Sequence, residues 1–154
     1  MRALEPWVAQ PMEIFLAESA ARLTLLMTSS GQVVAQHGFS RSVDVMTAAA
    51  LGAGIVASTE ALARLMGAAG YEAIVHHGQR QSCMLAGFGT ARGRWIGLVV
   101  FGPETSVGIV RLFFDQMVQQ LAATAPREQP AQPPMLAENF ETELNASLNA
   151  LFGR

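Results

Sequence analysis

The stretch DVMTAAALGAGIVASTEALARLMG, residues 44–67, decides the fold. No proline interrupts it, and its apolar residues recur at helical spacing. It therefore predicts one long helix of six or seven turns. A helix turns about 100° per residue. On that wheel Leu51, Ile55, Leu62 and Leu65 share one narrow arc, which predicts a core-facing stripe. Ala50, Gly54, Ala57 and Ala61 share a neighbouring face at spacings of four, three and four. A row of small residues lets another backbone come close. Two readings stand side by side, tight packing on the chain's own sheet and a docking surface for a second helix or partner. A glycine inside a helix costs roughly 1 kcal/mol relative to alanine, so Gly52 and Gly54 ask for a packing reason.

Around this helix the other elements fall into order. Residues 5–21, EPWVAQPMEIFLAESAA, read as a short helix with Pro11 in its first turn and Trp7, Ile14, Phe15 and Leu16 on an apolar side. Residues 22–28, RLTLLMT, and 32–36, QVVAQ, read as a hairpin closed by Ser29-Ser30-Gly31. Ser42 or Asp44 can cap the long helix. Three strands follow, over 71–77, 80–87 and 94–101, with GFGTARG as the second turn. Connections this short make antiparallel neighbours. Glu104, Thr105 and Ser106 open a last helix over 107–125, with Ile109, Leu112, Phe113, Met117 and Leu121 towards the sheet. The fold class is α/β, an α+β sandwich around a five-stranded, mainly antiparallel sheet.

Composition then changes. PREQPAQPP, residues 126–134, holds four prolines and reads as an extended linker. Behind it Phe140, Leu144, Leu148 and Leu151 recur at spacings of four, four and three, one stripe of an amphipathic helix that ends in Phe152. The expected organisation is a domain over 1–125, a proline-rich linker over 126–135 and a tail helix over 136–154. So short a helix is marginal alone and needs a surface, either its own domain or a partner. Its acidic polar face, with Glu138, Glu141 and Glu143, argues against membrane binding.

Chemistry is sparse. The net charge of −2 argues against nucleic-acid binding by charge. All ten cationic residues are arginine, which removes a Walker-A lysine, a Schiff-base lysine and a lysine general base together. Cys83 is the single cysteine, so no intramolecular disulfide forms, and its place in a strand predicts a small buried thiol. With no signal peptide and no apolar run near 18 residues, the chain is expected to be cytosolic. His76 and His77 are adjacent in a strand and should point to opposite faces, which does not suit one metal. Asp44 and Asp115, the two aspartates, each belong to a helix. Gly87-Phe88-Gly89 leads to another strand rather than to a helix, so it makes no phosphate loop. No catalytic residues, metal site or cofactor are expected.

RLTLLMTSSGQVVAQHG resembles the opening hairpin of Roadblock/LC7 domains, AAALGAGIVASTEALARLMG their middle helix, and RWIGLVVFGPETSVGIVRL their last strand and final helix start. The resemblance covers residues 9–125. ALGAGIVASTEALARLMG, EAIVHHGQR and the acidic-apolar tail narrow it to the bacterial MglB-like subgroup of GTPase regulators. It implies the Roadblock fold, with the long helix on one face and terminal helices on the other. It also implies a homodimer that pairs the strand at Tyr71, Ala73, Val75 and His77 across a twofold axis. The partner implied is an MglA-like, Ras-type GTPase. Its hydrolysis would be promoted without a catalytic side chain from this chain, in cell polarity or motility, in the cytoplasm, a cell pole included. Ala50, Gly54, Ala57, Ala61 and Arg64 match the GTPase-binding strip, and Phe140, Leu144, Leu148, Leu151 and Phe152 the tail that docks. Arg111 matches an arginine expected to support the fold by an ion pair or cap. A scaffold that binds without stimulating hydrolysis is the alternative.

Overall fold

A computed structural model describes residues 5–39, 43–126 and 144–151. Helix α1 (Pro6–Ser19) leads into strands β1 (Leu23–Thr28) and β2 (Val33–Gly38). Helix α2 (Val45–Leu65) follows, then strands β3 (Ile74–His76), β4 (Ser82–Thr90) and β5 (Gly93–Phe101), and helix α3 (Val107–Thr124). Residues 144–151 form a further helix, α4. The five strands make one antiparallel sheet in the order β2-β1-β5-β4-β3.

The central strands are apolar on both faces because both are covered. Ile96, Leu98 and Val100 of β5, with Leu23, Leu25 and Met27 of β1 and Leu85 of β4, pack beneath α2. On the opposite face Trp95, Val99 and Phe101 meet α1 and α3 through Met12, Phe15, Val110, Phe114, Met117 and Leu121. The single long helix thus lies on one face, with α1 and α3 on the other.

Several expectations change. Pro6, not Pro11, occupies the first turn of α1, and Pro11 is buried well inside a 14-residue helix that is not short. A proline there cannot donate to the carbonyl four residues back. That carbonyl, of Trp7, lies 3.2 Å from the Thr124 hydroxyl at the end of α3, which it shares with the nearer Gln120 carbonyl at 2.8 Å. On α3, Val110 and Phe114 are buried with Met117 and Leu121, whereas Ile109 and Leu112 are exposed and Phe113 is half-buried. Ile14 of α1 is likewise exposed. The third strand shrinks to β3, three residues long.

Gly87-Phe88-Gly89 is neither turn nor loop but strand, and the hairpin closes further on, with Thr90 opposite Gly93. Gly93 has φ +106, a conformation a side chain resists. Phe88 turns towards Trp95 and Phe114 in edge-to-face contacts. The two caps hold. Asp44 accepts from the Met46 and Thr47 amides at 3.2 and 3.5 Å, and Ser106 from the Ile109 amide at 3.4 Å. Hydrogen bonds from Thr47 and Met46 also hold the Asp44 carboxyl below the ordinary carboxylate range. Ser42, the other cap candidate, lies outside the described residues.

Candidate functional site

The face of α2 turned to the sheet is made of small residues. Ala49, Gly52, Ala53, Val56 and Ala63 are its buried positions. A Cβ at Gly52 would sit 3.2 Å from Leu85 Cδ2 and 3.3 Å from Leu98 Cδ1. Large strand side chains fill the space beneath the helix, and only small helix residues complete the packing. The leucine stripe is therefore not the core stripe. Leu51, Leu62 and Leu65 are 64%, 49% and 85% exposed, and Ile55 is half-buried. The stripe lies about 130° round the helix from the buried face.

Ala50, Gly54, Ala57, Ala61 and Arg64 are all exposed. A Cβ at Gly54 would meet open space. The outer side of α2 thus carries two facets, a shallow trough of small residues and a leucine ridge, with Met46 and Met66 exposed near its ends. The Arg64 side chain has no hydrogen-bond or ion-pair partner among the described residues, while its carbonyl accepts from the Gly67 amide at 3.1 Å. Its neighbour Glu60 is bound to Arg94 of β5 at 2.6 Å.

The two facets face different ways. Ala48, on the flank shared by Leu51 and Ile55, lines a cavity of about 350 Å³ with His76, Cys83 and Leu98. The leucine flank therefore looks towards the β3 side of the sheet. A Cβ on Gly31 would approach Ala50 Cα at 3.3 Å, so the trough begins on the side of the β1–β2 hairpin. His77 lies just past the end of β3 and borders the same cavity as His76. Cys83 is half-buried rather than buried. Its burial pushes the thiol pKa up, partly offset by a backbone hydrogen bond from His76. Among the described residues no group of three or more His, Cys, Asp or Glu could hold a metal ion.

β3 is one of the two edges of the sheet, so among the described residues one side of its backbone has no strand beside it. Val75 and Ala73 pack into the α1/α3 side of the core, and Tyr71 and His77 are exposed and outside the strand. Glu72, next to Tyr71, pairs with Arg111 of α3. Arg111 thus ties the β3 approach to α3. In α4, Leu144, Leu148 and Leu151 are exposed. Phe140 and Phe152 of the expected tail stripe lie outside the described residues, as does the linker beyond Pro126.

By length and composition α2 could cross a membrane, contrary to the absence of an apolar run expected above. Its apolarity comes from alanine, glycine and valine that pack on a sheet as much as from leucine. The sequence signal that locates the inner face was present. Residues 49, 52, 53, 56 and 63 follow helical spacing as well as the leucines do.

Neither the protein-family models nor the curated proteins contain a match. Solved structures do. The chain is similar to the gliding protein MglB of Thermus thermophilus, at 29% identity over 81% of this chain and 93% of that one, with a TM-score of 0.68. It is similar to an MglB with tetrameric arrangement, at 28% identity over 81% and 92%, with a TM-score of 0.71. A Roadblock/LC7 domain from Streptomyces avermitilis shares the fold at 15% identity over 73% and 92%, with a TM-score of 0.63.

Proposed function

From the premise that the chain is an MglB-like protein of Roadblock/LC7 fold, we propose that it is a homodimeric regulator of a small Ras-type, MglA-like GTPase and acts without a catalytic site of its own. The observation that carries the proposal is the outer side of α2. Exposed leucines and an open trough of small residues lie side by side on a helix already anchored by its other face. Adjoining exposed apolar surface of this kind marks a protein-binding site. The edge of β3 offers backbone groups to a second copy, and the leucine flank faces that edge. A second copy seated there leaves the trough, with Arg64, for the GTPase.

Regulation is then positional. The trough holds the GTPase's own switch segments in a competent arrangement, and catalysis stays electrostatic and within the partner. Residues 1–125 form the working domain, 126–135 a linker and 136–154 a tail that reaches the GTPase. The setting is the cytoplasm, in polarity or motility.

Replacing Ala57 or Ala61 by arginine places a long cation in the trough. Single-turnover GTP hydrolysis by the GTPase should then fall to its unstimulated rate, while the regulator elutes as a folded dimer. Unchanged stimulation would refute the trough assignment. Binding without acceleration by the parent protein would make it a scaffold.

A further inference from the structure

The two halves of α2 are held differently. Ala49, Gly52, Ala53 and Val56 anchor the first half. From Ala57 to Leu65 only Ala63 is buried. Beside this second half lies an open cavity of about 640 Å³, between Glu60, Ala63 and Arg64 of the helix, the connection over 68–72 and Arg94. Alternation along β4 turns Cys83 and Leu85 towards α2, and then Gly87 and Gly89. Into this space comes Arg94, which shares the α2 side of β5 with Ile96 and Leu98. It passes across Gly87. A Cβ there would lie 2.8 Å from Arg94 Nη2 and 3.0 Å from Nε. Its guanidinium ends on Glu60 of α2 at 2.6 Å.

We infer that Arg94, laid over Gly87 and bound to Glu60, is a positioning residue that sets where the C-terminal half of α2 stands above the sheet. That half carries Ala57, Ala61 and Arg64. Arg94 is 55% exposed and Glu60 37%. Exposed pairs add little to global stability. The clamp instead fixes the height of a half-helix that apolar packing leaves beside a cavity. It also accounts for the first glycine of the GFG stretch, Gly87, whose missing side chain keeps the slot open. The consequence for regulation rests on the proposed function; the clamp itself does not.

The test uses the full chain. Gly87→Ala displaces the guanidinium without touching a charge or the helix, and Arg94→Gln removes the charge. In both, amide exchange over residues 59–65 should rise about two- to fivefold, as the loss of one exposed ion pair allows. Exchange over 49–56 should stay put, and the urea midpoint should move by less than about 0.5 M. The charge swap Glu60→Arg with Arg94→Glu should restore protection. In single-turnover hydrolysis, Arg94→Glu should raise the half-saturating concentration of regulator and leave the saturated rate alone, and the swap should restore it. Unchanged exchange in both single variants, or no rescue by the swap, overturns the clamp. Altered exchange with unaltered stimulation overturns its regulatory consequence. If the parent protein neither binds nor stimulates the GTPase while exchange still responds, the clamp stands and the proposed function fails.

Discussion

Gly52 and Gly54 are two residues apart on one helix, and alanine at each should have opposite consequences. Alanine in place of a mid-helix glycine stabilises by about 0.8–1 kcal/mol where the new methyl is unhindered. Gly54 meets that condition, because its Cβ would have nothing within 4 Å. At Gly52 the Cβ would press on methyl groups of Leu85 and Leu98 at 3.2 and 3.3 Å, with Met27 Cε at 3.5 Å. Those methyls sit in a filled core, and forcing them aside costs about 1–3 kcal/mol. Gly54→Ala should therefore raise stability by about 1 kcal/mol, seen as a rise in melting temperature of about 3 °C. In urea the midpoint should move up by about 0.5 M. Gly52→Ala should be neutral or destabilising, leaving the variants about 1 kcal/mol or more apart. Urea denaturation followed by circular dichroism measures both. If Gly54→Ala is the less stable variant, or the two move together, the helix does not face the sheet as described. The same protein probes the trough separately. A methyl at position 54 should weaken GTPase stimulation in a fold that has become more stable, a combination that no folding defect produces.

Two further outcomes follow. Arg22 donates from Nε and Nη2 to the Glu104 carboxylate at 2.8 and 3.1 Å, and that hydrogen bonding holds the Glu104 pKa below its ordinary value. A depressed carboxylate stabilises the fold above its unfolded pKa and loses that effect as pH falls through the folded one. Stability should then decline from about pH 5 towards pH 3, less steeply in Glu104→Gln, and parallel declines would show that the pair carries no linkage. Deleting residues 126–154 should leave a soluble folded dimer by size exclusion and circular dichroism; loss of soluble dimer would mean that α4 completes the core.

Order and caps were legible because their causes are local. Asp44 and Ser106 cap through amides two or three residues away, and the unbroken apolar run WIGLVVF marks a strand covered on both faces whatever covers it. The faces of α2 were not legible from a ranking by hydrophobicity, which places leucine inside and alanine outside. Orientation was decided by volume across elements. Leu25, Met27, Leu85, Ile96 and Leu98 already fill the inner space. The GFG stretch deceives for a similar reason. Gly87 and Gly89 look like a turn until it is known that Arg94 needs the space over Gly87. The Trp7 carbonyl that Pro11 leaves without a helical donor shares the Thr124 hydroxyl with Gln120, more than a hundred residues along the chain, where no local pattern points.

The inversion of α2 bears directly on the proposed site. A helix on a sheet ordinarily spends its large apolar residues inwards and turns polar ones to water. Here the sheet supplies the bulk, the helix supplies alanine and glycine, and the leucines remain on the outside. The domain has no need of those leucines for its own core, since Leu85, Ile96 and Leu98 are buried beneath the helix without them. Exposed leucine in water contributes nothing to folding and raises the hazard of aggregation. A row of three beside a sheet edge is therefore better accounted for by a surface that closes over them. The two facets also differ in depth. The ridge suits a second copy that brings its own ridge, and the trough suits a partner whose backbone must come close. Large residues beneath the helix and large residues outside it are two results of one cause, the placement of alanine and glycine at 49, 52, 53 and 63.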